Sequence, residues 1–281
     1  MDTNLIKNYW EVQPPFKGNG TPGSLEWSQS ISEHRFQVAP YLKKFIDADA
    51  YKGKSILEIG YGSGSDLLEF CRAGAYVTGV DITDKAKDVC SSRLKAEKLH
   101  ADLVTYDGLR LPKSLDYSSF DLVYSYGVLH HTPHMENIFA DAHNLLAPSG
   151  HLKLMLYHRN SVLYHHILYR CATGEPVLIK CSRDDLLSLY SEYREGCPYT
   201  RVFSEAEIKD RLWYYSAVDT SVELPVYDDG PNRKIPIGEP HIIGLTGIID
   251  IDLFSKKYNE DVEAGVDLTK YGWHLLVDAK K

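Results

Sequence analysis

Two adjacent histidines, His130 and His131, stand where an apolar strand-like run, Phe120 to Leu129, gives way to a loop. Imidazole titrates near neutral pH, so either ring could take a proton from a hydroxyl, an acidic carbon or a protonated amine. Either could equally serve only to hydrogen-bond the loop. Upstream, three acids close strand-like runs: Glu58 after Ser55-Ile56-Leu57, Asp81 after Ala75-Tyr76-Val77-Thr78-Gly79-Val80, and Asp107 after Leu103-Val104-Thr105-Tyr106. Glu58 leads directly into Ile59-Gly60-Tyr61-Gly62-Ser63-Gly64, and a helical segment, Asp66 to Arg72, follows. A strand, a glycine turn and a helix start can close backbone N–H groups around an anionic group, with glycine wherever a Cβ would block the approach or φ must be positive. The chemistry implied is the docking of a small ligand with a negative end, next to acids that can hold hydroxyls.

These residues need a frame that brings them to one edge. Apolar runs near 54–59, 75–81, 102–106, 120–126 and 150–157 alternate with helical patterns near 66–73, 83–97 and 134–147. Such alternation predicts an α/β fold: a doubly wound, mostly parallel sheet with helices on both faces. Ligands in these sheets bind outside the carboxyl ends of the strands, where Glu58, Asp81, Asp107 and Ser125 all fall.

A dinucleotide fingerprint G-x-G-x-x-G would need a third glycine where Ser65 or Leu67 stands. The pattern present, acidic-x-G-x-G-x-G, resembles motif I of the class I S-adenosylmethionine-dependent methyltransferases. Asp81, 17 residues after Gly64, the Asp107-Gly108 pair and the run Phe120 to His131 are similar to the next three motifs of that family. The resemblance covers residues 50 to 157 and implies a Rossmann-like fold with S-adenosylmethionine as cofactor. It places Gly60, Gly62 and Gly64 at the methionine portion, Asp81 at the ribose hydroxyls, Asp107 at the adenine amino group and the backbone near Ser125 at the methionine ammonium, with Glu58, Ile82 and Gly108 as further cofactor-binding candidates. His130 and His131 then fall in the loop beside the transferred methyl group, as catalytic candidates. The expected activity is methyl transfer to oxygen, nitrogen or carbon of a small molecule or short peptide-like metabolite. The alternatives are a macromolecular methyltransferase acting on protein or RNA, and a non-catalytic cofactor-binding scaffold or regulatory subunit.

Outside that span the chain divides into an N-terminal arm or lid (1–49), a helical cap inserted after the cofactor core (158–203) and a C-terminal completion of the sheet (204–281). The arm carries Pro14, Pro15, Gly18, Gly20, Pro22 and Gly23, which break regular patterns, and large rings at Tyr9, Trp10, Phe16 and Trp27. Two short helices are predicted between Ile31 and Asp47, with Pro40 near the start of the second. The cap reads as tyrosine-rich helices near 162–171 and 183–195, and Ser204 to Glu207 has the pattern of a capping box. Candidate substrate contacts are Tyr9, Trp27, Arg35, Tyr199 and Arg201, the last two through the resemblance of Cys197-Pro198-Tyr199-Thr200-Arg201 to a segment of some small-molecule methyltransferases.

The net charge of −8 argues against a nucleic-acid partner, which needs a basic stripe. No run approaches a membrane span, and five cysteines without a C-x-x-C pair suggest neither disulfides nor zinc, so a reducing cytoplasm is expected. His130, His131, His134 and His143 lack metal-binding register, and no metal is expected. Oligomeric state is not legible.

Overall fold

The computed structural model describes residues 3–12, 18–165, 167–168, 187–188, 191–192, 196–225 and 249–281. One sheet holds seven strands: β1 (Ser55–Ile59), β2 (Tyr76–Asp81), β3 (Asp102–Thr105), β4 (Phe120–Tyr126), β5 (Leu146–Tyr157), β6 (Ala217–Glu223) and β7 (His274–Lys280). Their spatial order is β3-β2-β1-β4-β5-β7-β6. The first five run parallel, and β7 runs antiparallel to both β5 and β6.

Alternation explains why both faces are covered. In β1, Leu57 and Ile59 join one core cluster and Ile56 the other; in β4, Val123 faces the first and Leu122 and Tyr124 the second. The first face is covered by α6 (Met135–Leu145), through Ile138, Phe139, Ala142 and Leu145, and by α7 (Glu205–Arg211), through Ile208. The second is covered by α3 (Leu42–Ile46), α4 (Ser65–Ala73) and α5 (Asp84–Glu97), through Leu42, Leu67, Leu68, Phe70, Cys90 and Leu94. A Rossmann-like, doubly wound sheet is therefore what forms.

Local signals set the helix boundaries. Thr83 caps α5 by accepting from the Ala86 amide, and Ser204 and Glu207 exchange both bonds of the capping box at α7, where a cap contributes about 1 kcal/mol. Two boundaries differ from expectation. β5 begins at Leu146 rather than 150, because Phe120 pairs with Leu146 across a register shift before Leu122 meets His151. In the arm, α1 (Thr3–Val12) is helical where only irregular chain is expected. Ten residues are marginal for an isolated helix, and tertiary packing of Ile6 and Tyr9, both buried, supplies what propensity lacks. α2 (Leu25–Val38) starts on a Ser24 cap, six residues ahead of the expected helix, and stops before Pro40. α8 (Ile249–Glu263) precedes β7. The two expected cap helices lie mostly outside the described residues.

Candidate active site

The carboxyl ends of β1, β2 and β4 meet where the strand order reverses between β1 and β4, the position at which open α/β sheets take ligands. All three turn glycines have positive φ: 75° at Gly60, 50° at Gly62 and 79° at Gly64. Their reasons differ. A Cβ at Gly60 would lie 2.4 Å from Val128 Cγ2, and one at Gly64 would lie 2.4 Å from Cys90 Sγ, so these two are glycine because the protein packs against them. A Cβ at Gly62 would meet nothing within 4 Å. That position is open, as a backbone approached by a ligand must be.

Asp81 is buried at the end of β2. Its Oδ2 accepts from the Gly62 amide at 3.0 Å, and its Oδ1 accepts from the Thr83 amide and hydroxyl, both at 2.9 Å. Burial raises its pKa and these hydrogen bonds oppose the rise. One carboxylate thus ties the glycine turn to the start of α5. Ile82, next along, is half-buried, and its Cγ2 lies 3.1 Å from where a Cβ on Gly108 would sit. Asp107 is exposed and turns one oxygen back to the Leu109 amide at 2.9 Å. The Ser125 hydroxyl donates to the Ile59 carbonyl at 3.0 Å and so extends the β1–β4 contact to the lip of the turn.

Beneath the turn lies an acid-rich layer. Glu58 is buried with Oε2 unpartnered. Burial raises its pKa well above the carboxylate range, and the charge of Asp66 adds to that rise. Both Asp66 oxygens are occupied, by Arg35 Nε (3.0 Å) and Nη2 (2.7 Å), with Tyr124 Oη donating as well at 2.8 Å. Arg35 also lies 4.0 Å above the Tyr126 ring. The guanidinium expected to clamp a substrate anion is therefore closed on an internal carboxylate.

The two histidines are differentiated by their partners. His131 Nδ1 lies 3.1 Å from the Tyr199 carbonyl and from Thr200 Oγ1, and 3.6 Å from Cys197 Sγ. Its Nε2 approaches Glu192 Oε1 at 3.4 Å, an ion pair without full hydrogen-bond geometry. Burial opposes charge on this ring, but Glu192 and Cys197 outweigh it and push the pKa up to about 10. His130 is fully buried and neither ring nitrogen has a partner. Burial, then the neighbouring His131, lowers its pKa well below the usual imidazole value. His130 packs 3.8 Å from Tyr157, centroid to centroid, and Tyr157 stacks on Trp273 at 4.1 Å. The surroundings thus favour the charged form of His131 and the neutral form of His130, whose two ring nitrogens have no hydrogen-bond partner.

The other expected contacts separate. Tyr199 and Arg201 come to the histidines through backbone, the Arg201 amide donating to the His130 carbonyl at 3.0 Å. Tyr9 reaches them through Trp10, whose ring meets His131 at 4.9 Å. Trp27 does not join them: its ring is buried with Ile31 and Val89 between α2 and α5, a core position. The C-terminal turn of α1 touches both α5, where Glu11 Oε1 accepts from the Lys85 amide at 3.0 Å, and His131, through the Trp10 ring.

A group not anticipated from sequence lies at the same edge. The Tyr126 hydroxyl is 2.7 Å from that of Tyr41 and 2.9 Å from His274 Nδ1, and Tyr41 also bonds His274. Burial, then the charge of Arg35, pushes His274 down to about 3, which favours a neutral ring between the two phenols. No local motif marks these three residues, which are brought together from α3's approach, β4 and β7.

Residues 57–154 match the family model described as a methyltransferase domain. A ubiquinone biosynthesis O-methyltransferase of Coxiella burnetii is 28% identical over 128 residues, 45% of this chain and 54% of the relative. The chain thus spans about half the length of that relative. Among solved structures, a SAM-dependent methyltransferase from Archaeoglobus fulgidus superposes with a TM-score of 0.56 at 16% identity, over 90% of this chain and 94% of that one. Magnesium protoporphyrin IX methyltransferase from Synechocystis, solved with bound SAH, gives a TM-score of 0.56 at 14% identity over 100% of both chains. Residues 57–154 are thus similar to a methyltransferase domain, and they lie in a sheet whose fold is shared with solved S-adenosylmethionine-dependent methyltransferases.

Proposed function

We propose that this chain transfers a methyl group from S-adenosylmethionine to a small molecule or short peptide-like metabolite, with an oxygen acceptor favoured by its curated O-methyltransferase relatives. The observation that carries the reading is the junction of Gly62 and Asp81. There the open backbone face of a glycine turn and a buried carboxylate share one hydrogen bond. The unpartnered Glu58 carboxyl beneath it supports the same reading, since a cationic ligand group supplies the partner it lacks.

The residues divide the work as follows. Gly60, Gly62 and Gly64 shape the turn for the methionine portion, with Glu58 and the end of β4 at Ser125 facing its ammonium. Asp81 and Ile82 hold the ribose, and Asp107 and Gly108 the adenine. When bound, the cofactor supplies an electrophilic methyl on a sulfonium that departs as a neutral thioether, so the protein must mainly orient the nucleophile and exclude water. His130 accepts the acceptor's proton. Burial and the neighbouring His131 favour its neutral form before reaction, so it would be free to take up that proton. His131, paired with Glu192, is left to position the 197–201 segment against His130.

The division into arm (1–49), core (50–157), cap (158–203) and C-terminal part (204–281) fits this scheme, with α1 as a lid over both ligands. Cys71, Cys90 and Cys197 are buried and unbridged, which supports a reducing, cytoplasmic setting. Among the described residues no helix is long and apolar enough to cross a membrane. The test is transfer of label from methyl-labelled S-adenosylmethionine into a panel of phenols, amines and carbon acids, alongside calorimetry of cofactor binding. Cofactor binding without label transfer to any class would leave a binding protein rather than an enzyme.

A further inference from the structure

Arg93 lies on α5, outside the site, and is fully buried. A guanidinium has five N–H donors, and here all five are used. Nε donates to Ser28 Oγ at 3.1 Å, and Nη2 donates to the Ser28 carbonyl at 2.8 Å and to Ser32 Oγ at 2.6 Å, all on α2. Nη1 donates to the Ser63 carbonyl at 2.8 Å and to Ser65 Oγ at 3.0 Å, at the glycine turn and the first residue of α4. None of the five acceptors is a carboxylate. Burial pulls its pKa down to about 10, and the nearest carboxylate, Glu97, reaches it only through Ser28 Oγ, so a buried cation here is costly for stability alone.

What the five bonds achieve is geometry. Arg93 holds the Ser63 carbonyl between two amides that are themselves fixed, Gly62 donating to Asp81 and Gly64 to the Tyr61 carbonyl. Cys90, one helical turn before Arg93, fills the space a Cβ at Gly64 would need, so α5 fixes the turn both by packing and by hydrogen bonds. The same guanidinium grips α2, the helix that follows the arm. Lysine could not substitute, because a single ammonium cannot span both groups of acceptors.

We propose that Arg93 is the positioning residue of the glycine turn and couples the seating of α2 to the turn's affinity for its ligand. The inference rests on the cofactor reading only for the ligand's identity; the mechanical claim concerns the turn itself. The experiment compares the parent with Arg93→Met, Arg93→Lys and Ser65→Ala. Amide hydrogen exchange is followed without ligand, and calorimetry is run with S-adenosylmethionine and S-adenosylhomocysteine.

Exchange at Gly62 and Gly64 should quicken at least tenfold in Arg93→Met, while β4 and β5 amides keep parental protection. Cofactor affinity should fall at least tenfold, with Arg93→Lys as weak as Arg93→Met. A merely structural role would quicken exchange throughout and leave the affinity of the remaining folded protein unchanged. That result, or parental exchange at the turn, would overturn the inference. Should the Arg93 variants fail to fold, Ser65→Ala decides, since parental turn exchange in that variant also overturns it. Failure of the parent itself to bind either ligand would refute the cofactor reading, whereas the exchange data would still judge Arg93.

Discussion

Asp81→Ala should weaken cofactor binding by a factor that can be worked from lone pairs. An ionised carboxylate offers about four acceptor positions. Three are taken inside the protein, by Gly62 and by both donors of Thr83. With the Ile82 amide also near the carboxylate, at most one position remains for a ribose hydroxyl. A hydrogen bond to a charged group contributes about 1.5 to 3 kcal/mol, so loss of that one contact predicts roughly tenfold to 150-fold weaker binding. Release of the Gly62 amide would loosen the turn and push the result toward the upper end. Asp81→Asn is the sharper variant, since it keeps the shape and one acceptor for Thr83 but turns an amide N–H toward the Gly62 N–H. Calorimetry with both forms of the cofactor, on variants shown by thermal unfolding to be folded, measures the effect. Affinity within twofold of the parent in both variants would refute the assignment and direct attention to another acid.

Gly60→Ala should fold poorly, because its methyl would sit 2.4 Å from Val128 Cγ2, whereas Gly62→Ala meets no protein atom and should fold with weakened cofactor binding; unfolding and calorimetry on the pair separate packing from ligand approach. His130→Gln should lower kcat by a factor of about 10² to 10⁴ with cofactor affinity unchanged. In the parent, kcat/KM should be flat around neutral pH and fall on the acid side only well below the usual imidazole range, since the lowered pKa keeps His130 unprotonated at neutral pH. The His131–Glu192 pair raises the His131 pKa, so its stabilisation is fully present below pH 6.5 and lost as pH rises toward about 10. Urea unfolding across that interval should show the loss in the parent and a flatter profile in Glu192→Gln.

The sheet, and the edge where its glycine turn and strand-end acids meet, were legible because their signals are local. Period-two apolar runs, a glycine turn and acids at strand ends each occupy a handful of consecutive residues, and the Ser204–Glu207 capping box is read in four. Trp27 and Arg35 were placed by composition and setting alone, which do not tell a core ring or an internal ion pair from a substrate contact. The Tyr41, Tyr126 and His274 group joins positions up to 233 residues apart, so no spacing rule could have found it. α1 was hidden for another reason: its stability comes from what it lies on, and neighbouring prolines dominate the pattern. The different protonation of His130 and His131 was equally invisible, since two identical neighbours are told apart only by Glu192 and Cys197 arriving from elsewhere.

β7 is last of the seven strands in sequence yet sits inside the sheet, between β5 and β6. During synthesis, β1 to β5 can pair as they emerge, but β6 has no place to dock until β7 arrives, because β7 is its only described neighbour. The same arrival delivers Trp273 under Tyr157 and His274 to Tyr41 and Tyr126. The glycine-turn edge can therefore assemble before the Tyr41, Tyr126 and His274 group, and a chain released before β7 would present an unpaired β5 edge, a template for aggregation.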